Sequence, residues 1–340
     1  MRIAVTGALG HIGSQLIRDL PSLIPDVELV LIDNLCTQRY CSLFNLPNTA
    51  RYRFLEADVL KVELERLLKG TDVVIHLAAI TDATSSFDNP EHVERVNLEG
   101  TERVAHACVE LGAKLVFPST TSVYGTQQTE VREDLPVEAL RPQSPYAESK
   151  LKAELLLNGL GTSHRLRFVT LRFGTIFGTS PGMRFHTAVN KFIWQACSGT
   201  PITVWRDAID QYRPYLDVHD AIRALGFVVA SDLFHQETYN VLTLNATVRE
   251  ILSAIERYVH DIHIQYVDTR IMNQLSYRVC RRKFEQLGFC FAGELQSRIR
   301  ESIALLSNIR GISNAPFTSL EETTAFQVCE AKPESKSLPA

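Results

Sequence analysis

The stretch that decides the fold runs from Arg2 to Leu20 and reads RIAVTGALGHIGSQLIRDL. It predicts a short apolar strand, a turn with three glycines in a G-x-x-G-x-x-G pattern, and an amphipathic helix. Gly7 lets the chain turn off the strand, Gly10 lets the backbone approach a pyrophosphate, and Gly13 lets the helix pack on the strand. Unpaired N–H groups and a positive dipole at the helix N-terminus favour phosphate binding there. The predicted phosphate-binding residues are Gly7, Gly10, His11, Ile12 and Gly13.

A second apolar run, Val27 to Ile32, ends in Asp33, twenty residues after Gly13. In a dinucleotide-binding fold, an acid at this place holds the adenosine ribose hydroxyls. Its charge also repels a 2′-phosphate, so this position favours NAD over NADP. Because Asp followed by Asn34 is also good turn chemistry, a purely structural role for Asp33 stays open.

Composition excludes several classes of protein. The chain has 340 residues, a net charge of −4 and a pI of about 6.2, which argue against a general nucleic-acid binder. No apolar run reaches membrane-spanning length, and a strand beginning at residue 2 leaves no room for a signal peptide. The seven cysteines contain no C-x-x-C pair, so we expect reduced thiols and a cytoplasmic protein.

Strands and helices alternate through the first half of the chain and predict an α/β fold, a Rossmann-type doubly wound parallel sheet. Residues 1–178 form the predicted NAD-binding domain, to which the chain returns around 212–245. Residues 179–312 form mainly a smaller, substrate-binding lobe. The polar segment 313–340 is expected to be disordered.

Several residues of this first domain are candidates for contact with the cofactor. Asp58 and Val59 follow the third strand and could hold an adenine, although Asp58 could equally cap the next helix, over 61–68. The fourth strand runs through His76 into Leu77, Ala78 and Ala79, whose small side chains suit close approach to a cofactor. For His76 a packed, hydrogen-bonded role is favoured over a catalytic one. Asn97, a poor mid-helix residue inside the predicted helix from Pro90 to Leu111, suggests a local hydrogen-bonding task.

Hydroxyl groups crowd the end of the fifth strand, where open α/β sheets bind ligands, although Ser and Thr also cluster in simple turns. Ser119, Thr120, Thr121 and Ser122 carry these hydroxyls. Downstream, Ser144 and Pro145 start a helix on which Tyr146 and Lys150, four residues apart, share one face. A nearby ammonium stabilises a phenolate, so Lys150 is expected to lower the pKa of Tyr146, the candidate base.

Together these residues resemble the extended short-chain dehydrogenase/reductase family, especially its nucleotide-sugar epimerases and dehydratases. The resemblance covers Arg2 to about Leu306. It rests on Thr6–Gly13, Asp33-Asn34-Leu35, Asp58-Val59, His76–Ala79, Asn97-x-x-Gly100-Thr101, Ser119–Gly125 and Tyr146-x-x-x-Lys150. The stretch from Ile32 to Cys36 is similar to that of UDP-galactose 4-epimerases.

The resemblance implies NAD as cofactor and a set of contacting residues. Thr120 would bond a sugar hydroxyl and pass its proton to Tyr146, while Lys150 would also hold the nicotinamide ribose. Beyond the glycine turn, the implied cofactor contacts are Asp33, Asn34, Asp58, Val59, Leu77, Ala78, Ala79, Asn97, Ser119, Tyr146 and Lys150.

The implied substrate is a nucleotide sugar, with a UDP-sugar favoured. Trp205 could lie against a base and Arg213 could clamp a diphosphate, but Trp205 could also be core and Arg213 an interdomain ion pair. Two positions depart from the family: Thr175 replaces the usual Asn, and Thr81 stands where galactose epimerases have Lys. The candidate substrate contacts are Thr81, Thr120, Thr121, Ser122, Tyr146, Thr175, Trp205 and Arg213; no metal site is predicted.

The favoured function is an NAD-dependent nucleotide-sugar 4-epimerase that works through a transient 4-keto intermediate. Related dehydratases carry Asp-Glu directly after the Thr, where this chain has Thr121 and Ser122. The alternatives are a dehydratase, decarboxylase or oxidoreductase of the same family, and a non-catalytic NAD(H)-sensing protein. We also expect a homodimer formed through the helices 90–111 and 146–157, which carry apolar residues on more than one face.

Overall fold

The computed structural model describes residues 1–125, 130–268, 276–306 and 309; the predicted polar tail, 313–340, lies outside them. Strands and helices alternate through the first half. Its elements are β1 (Arg2–Thr6), α1 (His11–Leu23), β2 (Glu28–Asp33), β3 (Arg51–Glu56), α2 (Leu64–Leu67), β4 (Val73–His76), α3 (Pro90–Glu94), α4 (Gly100–Leu111), β5 (Lys114–Thr120), β6 (Glu130–Val131), α5 (Pro145–His164) and β7 (Phe168–Phe173).

The second half is built from shorter elements. They are β8 (Thr175–Phe177), α6 (Ala188–Ser198), β9 (Ile202–Trp205), β10 (Tyr212–Asp217), α7 (Val218–Ala230), β11 (Glu237–Val241), β12 (Leu244–Thr247), α8 (Val248–Glu256), β13 (Ile264–Val267), β14 (Arg278–Val279), α9 (Arg282–Glu285) and α10 (Leu295–Leu306). The sequence pattern predicts helices over 188–198 and about 294–306, which correspond to α6 and α10.

The central sheet has seven parallel strands in the order β11-β7-β5-β4-β1-β2-β3. The chain moves outward from β1 through β2 to β3, then crosses back to place β4 on the other side of β1. In open α/β sheets, ligands bind beyond the carboxyl ends of the strands at such a reversal. The predicted Rossmann-type sheet is confirmed.

Both faces of this sheet are covered, which explains the apolar strands. Ile3 and Val5 point into a core shared with α1 and α7, while Ala4 points into a second core with α4 and α5. Because successive side chains of a strand face opposite sides, a sheet buried on both faces needs nearly continuous apolar strands.

The predicted helix from Pro90 to Leu111 contains one irregular turn. Residues Arg95–Glu99, between α3 and α4, form a π-helical turn, and Asn97 lies in it with 1% of its surface exposed. A π turn widens the helix by one residue per turn and is frequent at functional sites.

Three small sheets complete the fold, with strand orders β12-β10-β8, β13-β9 and β14-β6. An apolar core joins β9 and β10 to α6, α8 and α10. Of the elements in 212–245, β11 joins the central sheet and α7 covers it, while β10 lies in the three-stranded sheet; the predicted domain limits themselves stay a prediction.

Within the described ranges, no helix combines the length and apolar character needed to cross a membrane. The cysteines described there, Cys36, Cys41, Cys108, Cys197, Cys280 and Cys290, are free thiols.

Candidate active site

The glycine turn between β1 and α1 has the geometry of a phosphate cradle. Gly7 adopts φ +66°, and a Cβ there would lie 2.6 Å from Ala78 N; a Cβ on Gly13 would lie 2.5 Å from Gly7 O. A Cβ on Gly10 would meet only Gly7 O at 3.3 Å and Arg39 Nη1 at 4.0 Å. Internal packing therefore requires Gly7 and Gly13, whereas at Gly10 the missing side chain leaves the outer face of the turn open.

The N-terminus of α1 is ready for an anion. Its N-cap is Gly10, so no side chain caps the helix, and its first turn contains no acid. The uncapped N–H groups and the helix dipole favour a negatively charged ligand. The helix begins at His11, three residues before Ser14, where the amphipathic pattern predicts its start.

Asp33 ends β2 directly beside this turn. Its Oδ2 accepts a hydrogen bond from Leu9 N at 3.0 Å and its Oδ1 accepts one from Leu35 N at 3.0 Å. The carboxylate is thus fixed in orientation while each oxygen keeps a lone pair for another donor. The turn role and the ligand role, left as alternatives above, are compatible in this geometry.

Asp58 does not cap α2. Its Oδ1 accepts from Leu60 N at 3.0 Å, within its own turn, and the N-cap of α2 is Glu63. The capping alternative was wrong because the chain makes a separate turn at 58–62 before α2 begins. Val59 is buried beside Gly100. Asn34, whose Oδ1 accepts from Cys36 N at 3.1 Å, is exposed after β2.

His76 is packed and hydrogen-bonded, as favoured above. Thr101 donates to Asn97 O at 2.6 Å, so it accepts from His76 Nε2 at 3.2 Å. His76 Nδ1 is then the acceptor for Thr6 Oγ1 at 2.7 Å. Burial lowers the pKa of His76 to about 3, which keeps the ring neutral.

Asn97 performs the local hydrogen-bonding task expected of it. Its Oδ1 accepts from Ile80 N at 2.8 Å, and its Nδ2 donates to Ile80 O at 3.0 Å and to Ser149 Oγ at 3.0 Å. These bonds tie the segment after β4, with Leu77, Ala78 and Ala79, to helix α5. Direct contact of Asn97 with the cofactor stays a prediction.

Tyr146 lies in the first turn of α5, which Ser144 caps by accepting from Ala147 N at 3.2 Å. Burial raises the pKa of Tyr146 to about 12, and a hydrogen bond with the Thr120 hydroxyl acts in the opposite direction. Thr120 also accepts from Ser122 N at 3.1 Å. The structure therefore brings the candidate base and its hydroxyl partner together at the carboxyl end of β5.

Lys150, one turn further along α5, is 4% exposed. Its Nζ donates to Pro118 O at 2.9 Å and lies 4.5 Å from the centre of the Phe117 ring. Burial lowers the pKa of Lys150 to about 8, while the charge of Glu154 raises it. In these surroundings burial, and not Lys150, dominates the pKa of Tyr146, so a phenolate at neutral pH needs further positive charge beside the phenol.

The other hydroxyls after β5 point in different directions. Ser119 Oγ donates to Glu154 Oε1 at 2.5 Å, and Thr121 Oγ1 donates to Phe173 O at 3.2 Å. Ser122 is partly exposed. At this strand end the candidate ligand-binding hydroxyls are therefore those of Thr120 and Ser122. The hydroxyls of Ser119 and Thr121 are bonded within the protein.

The candidate substrate residues lie on separate elements. Thr175 and Arg213 belong to neighbouring strands of the three-stranded sheet, whereas Trp205 ends β9 in a two-stranded sheet opposite Val267. The Arg213 guanidinium lies 5.2 Å from the centre of the Tyr277 ring, and burial lowers its pKa. Thr81 is exposed after β4.

A family model described as the NAD dependent epimerase/dehydratase family matches residues 3–241. The chain belongs to this family. The uncharacterized UDP-glucose epimerase YtcB of Bacillus subtilis (strain 168) is 32% identical over 265 residues, 75% of this chain and 81% of that protein. A crystal structure of UDP-glucuronic acid 4-epimerase from Bacillus cereus, in complex with UDP-glucuronic acid and NAD, is 26% identical with a TM-score of 0.80 and covers 90% of this chain and 99% of its own.

Some relatives in the epimerase/dehydratase family are much longer. The Arabidopsis thaliana protein RHM3, named a trifunctional UDP-glucose 4,6-dehydratase, 3,5-epimerase and reductase, is 29% identical over 321 residues. That match covers 88% of this chain but only 46% of RHM3.

The residues of this chain fit the NAD on which the family depends. The open outer face of Gly10 and the uncapped α1 suit a diphosphate, and Asp33 beside them suits ribose hydroxyls. The predicted cofactor is confirmed at the level of the family.

The sequence did not predict that the turn at residues 178–182 packs against the glycine turn between β1 and α1. His11 Nε2 contacts Gly178 O at 2.9 Å, Ser14 Oγ accepts from Gly182 N at 2.8 Å, and Arg39 Nη1 donates to Gly182 O at 2.8 Å. Residues 178–182 lie between β8 and α6. The glycine at 182 was the available signal, since close approach of two backbones requires a residue without Cβ.

Proposed function

We propose that the protein is an NAD-dependent nucleotide-sugar 4-epimerase that works through a 4-keto intermediate. The observation that carries the proposal is the placement of the Tyr146 phenol beside the Thr120 hydroxyl at the end of β5, with Lys150 one turn away on the same helix. The names of YtcB and of the Bacillus cereus enzyme support the same reaction class.

Each side chain has a defined task in this proposal. The Thr120 hydroxyl binds the sugar 4-hydroxyl and orients it towards Tyr146, which takes the proton as a general base and returns it later. Lys150 holds a positive charge behind Tyr146 and favours its phenolate form. When bound, NAD would supply a hydride acceptor and donor for sugar C4, and the positive charge of its oxidised ring would favour the phenolate of Tyr146.

A dehydratase begins with the same removal of a proton and a hydride at the sugar 4-position. This reaction is the alternative, and the name of the relative RHM3 includes it. A dehydratase must also remove a proton at C5 and protonate a departing hydroxyl, which requires an acid and a base near Thr120. The two positions after Thr120 hold Thr121 and Ser122, whose hydroxyls are poor proton donors at neutral pH. Asp82, an acid in the segment after β4, accepts hydrogen bonds from Thr84 N and Ser85 N. This chemistry favours the epimerase.

The test is incubation of the enzyme with UDP-glucose, UDP-glucuronic acid and dTDP-glucose in D₂O, with products followed by mass spectrometry and NMR. We expect a C4 epimer of unchanged mass without deuterium on carbon, because the hydride that left C4 returns to it. Loss of water with deuterium at C5 would identify a dehydratase, and loss of CO₂ would identify a decarboxylase. NAD binding without turnover of any nucleotide sugar would favour the sensor.

We further propose a UDP-sugar as the substrate, bound by Thr81, Thr175, Trp205 and Arg213 in addition to the hydroxyls of Thr120 and Ser122. The Arg213 guanidinium suits a diphosphate because a charged, forked donor binds phosphate oxygens in pairs. Ligands that copurify with the protein, identified by mass spectrometry, would report the nucleotide directly.

We also propose a cytoplasmic homodimer that pairs through α4 and α5. Leu155, 43% exposed on α5, supports this interface, whereas the exposed positions of α4 are polar, Glu102, His106 and Glu110. The free thiols of the described cysteines agree with a reducing compartment.

A further inference from the structure

Helix α5 presents a row of three functional groups to the end of β5. Tyr146, Lys150 and Glu154 follow each other at intervals of four residues, so they lie along one stripe of the helix. Each of them contacts a different one of three consecutive residues of β5. Lys150 donates to Pro118 O, Glu154 accepts from Ser119 Oγ, and Tyr146 lies beside the Thr120 hydroxyl. Glu154 thus occupies the third place in a row whose first two members carry the proposed chemistry.

Glu154 is a deeply buried carboxylate with a complete set of partners. It is 3% exposed, and its two oxygens accept from Ser119 Oγ at 2.5 Å and from Arg172 Nε and Nη2 at 3.1 and 2.7 Å. Arg172, on β7, lies with its guanidinium 4.9 Å from the centre of the Tyr124 ring. Burying two charges costs free energy that such a pair only partly recovers, so stability alone is a weak reason for this arrangement.

The surroundings of Lys150 give this carboxylate a second task. The Phe117 ring and Pro118 O face Lys150 from β5, His76 faces it from β4, and Glu154 and Tyr146 face it from its own helix. His76 is neutral and Tyr146 is an uncharged phenol near pH 7, because burial sets their pKa values to about 3 and about 12. Pro118 O and the Phe117 ring are uncharged, so among these neighbours Glu154 is the one that favours the ammonium form of Lys150 by a negative charge.

We propose that Glu154 is a positioning residue for the Tyr146–Lys150 pair, which keeps Lys150 charged and fixes the end of β5 against α5 through Ser119. The proposal rests on the proposed function only for the role of the pair in catalysis. The positioning itself concerns groups of this chain and can be measured without a substrate.

The action of Glu154 on Lys150 is electrostatic and its action on Ser119 is geometric. Removing the negative charge leaves Lys150 in an apolar site that disfavours its ammonium form. Removing the acceptor frees Ser119, the residue beside Thr120. A change of Glu to Gln keeps the shape and an acceptor oxygen, so it separates the first action from the second.

The first experiment titrates Lys150 by NMR in protein labelled with ¹³Cε-lysine, with the resonance assigned by Lys150→Met. We expect Glu154→Gln to lower the pKa of Lys150 by about one unit, the usual effect of losing an opposite charge nearby. Since Gln could leave Arg172 buried without its counter-charge, the double variant Glu154→Gln/Arg172→Met is measured in parallel. An unchanged titration of Lys150 in whichever of the two variants folds would overturn the proposal.

The second experiment measures the pH profile of kcat. Because Lys150 must stay charged, its alkaline limb should move to lower pH in Glu154→Gln by the amount seen in the NMR titration. The matched control is Asp217→Asn, another fully buried carboxylate, paired with Arg298 Nε at 2.7 Å in a different part of the fold. If Glu154 were only structural, Glu154→Gln would lower kcat at all pH values without shifting the alkaline limb of the profile, which is also the result expected for Asp217→Asn. That outcome would refute the proposal. Failure of the epimerase assay with a shifted Lys150 titration would instead count against the proposed function.

Discussion

At Tyr146 two effects oppose each other: burial raises the pKa to about 12, and the bond with Thr120 lowers it. Removal of the phenolic oxygen in Tyr146→Phe deletes the proton acceptor and leaves the fold of α5 unchanged. We expect turnover to fall by about two to four orders of magnitude, the usual effect of a lost general base. NAD binding, followed by fluorescence of the reduced form, should persist. A fully active Tyr146→Phe enzyme would refute the mechanism.

Arg213 tests the proposed substrate site at the same scale. Loss of a charge-assisted phosphate contact costs about 1.5–3 kcal/mol, so Arg213→Ala should raise KM for the nucleotide sugar roughly tenfold or more and leave NAD affinity unchanged. Arg278→Ala is the control, because Arg278 also stacks on a tyrosine, 3.9 Å from the centre of the Tyr212 ring. Equal KM values in both variants and the parent would remove Arg213 from the substrate site.

His76 makes a pH-dependent contribution to the free energy of unfolding, which substitution of this one residue can isolate. Its pKa is about 3 in the fold and 6.5 when unperturbed, so between these values the unfolded chain binds one more proton than the native protein. The contribution of His76 is therefore fully present above pH 6.5 and is lost as pH falls towards 3, by about 1.4 kcal/mol per pH unit. Urea unfolding at pH 7.5, 5.5 and 4.5 should show a shallower pH dependence in His76→Gln. Parallel curves for the two proteins would contradict the neutral, buried histidine.

At the scale of elements, the turn 178–182 is packed against the glycine turn. A Cβ on Gly182 would lie 2.2 Å from Leu9 O and 2.7 Å from Gly10 O, so Gly182→Ala must push the two turns apart. We expect a loss of about 1–3 kcal/mol in the free energy of unfolding and weaker NAD binding, because Gly10 shifts with the turn. Calorimetric titration with NAD and thermal unfolding measure both.

The matched control for that variant is Gly159→Ala on α5, where a Cβ meets nothing within 4 Å. Alanine in a helix should leave stability unchanged or raise it by up to about 1 kcal/mol. If Gly182→Ala behaved like Gly159→Ala, the close packing of the two turns would be wrong.

The whole molecule is expected to pair with a second copy. Light scattering at micromolar concentration should report a dimer, and Leu155→Arg should yield monomers because it buries a charge in the proposed interface. Leu305→Arg is the control, since Leu305 is 71% exposed on α10, which packs on α6 and α8. A monomeric parent protein would rule the pairing out.

Much of the first lobe was predictable because its signals are local. The glycine turn, the acid ending β2, and the Tyr146–Lys150 spacing each lie within a few residues, and backbone freedom, capping and helical period act at that range. The same holds for Asn97, whose low helix propensity indicated the local hydrogen-bonding task that it performs, although the π turn around it was not predicted. For Asp58 local chemistry misled, because an acid is the N-cap of a helix only if the helix begins at the next residue, and α2 begins at Leu64.

By itself, therefore, the sequence determined the class of fold, the cofactor and the pair of residues proposed for chemistry. Only the tertiary structure decided which distant segments meet: β11 beside β7, Arg172 on Glu154, and Gly182 on Ser14, 168 positions away in the chain. The physical reason is that such contacts arise from complementary burial and hydrogen bonding between whole elements. The residues next to one partner in the sequence do not indicate which distant residue it will contact.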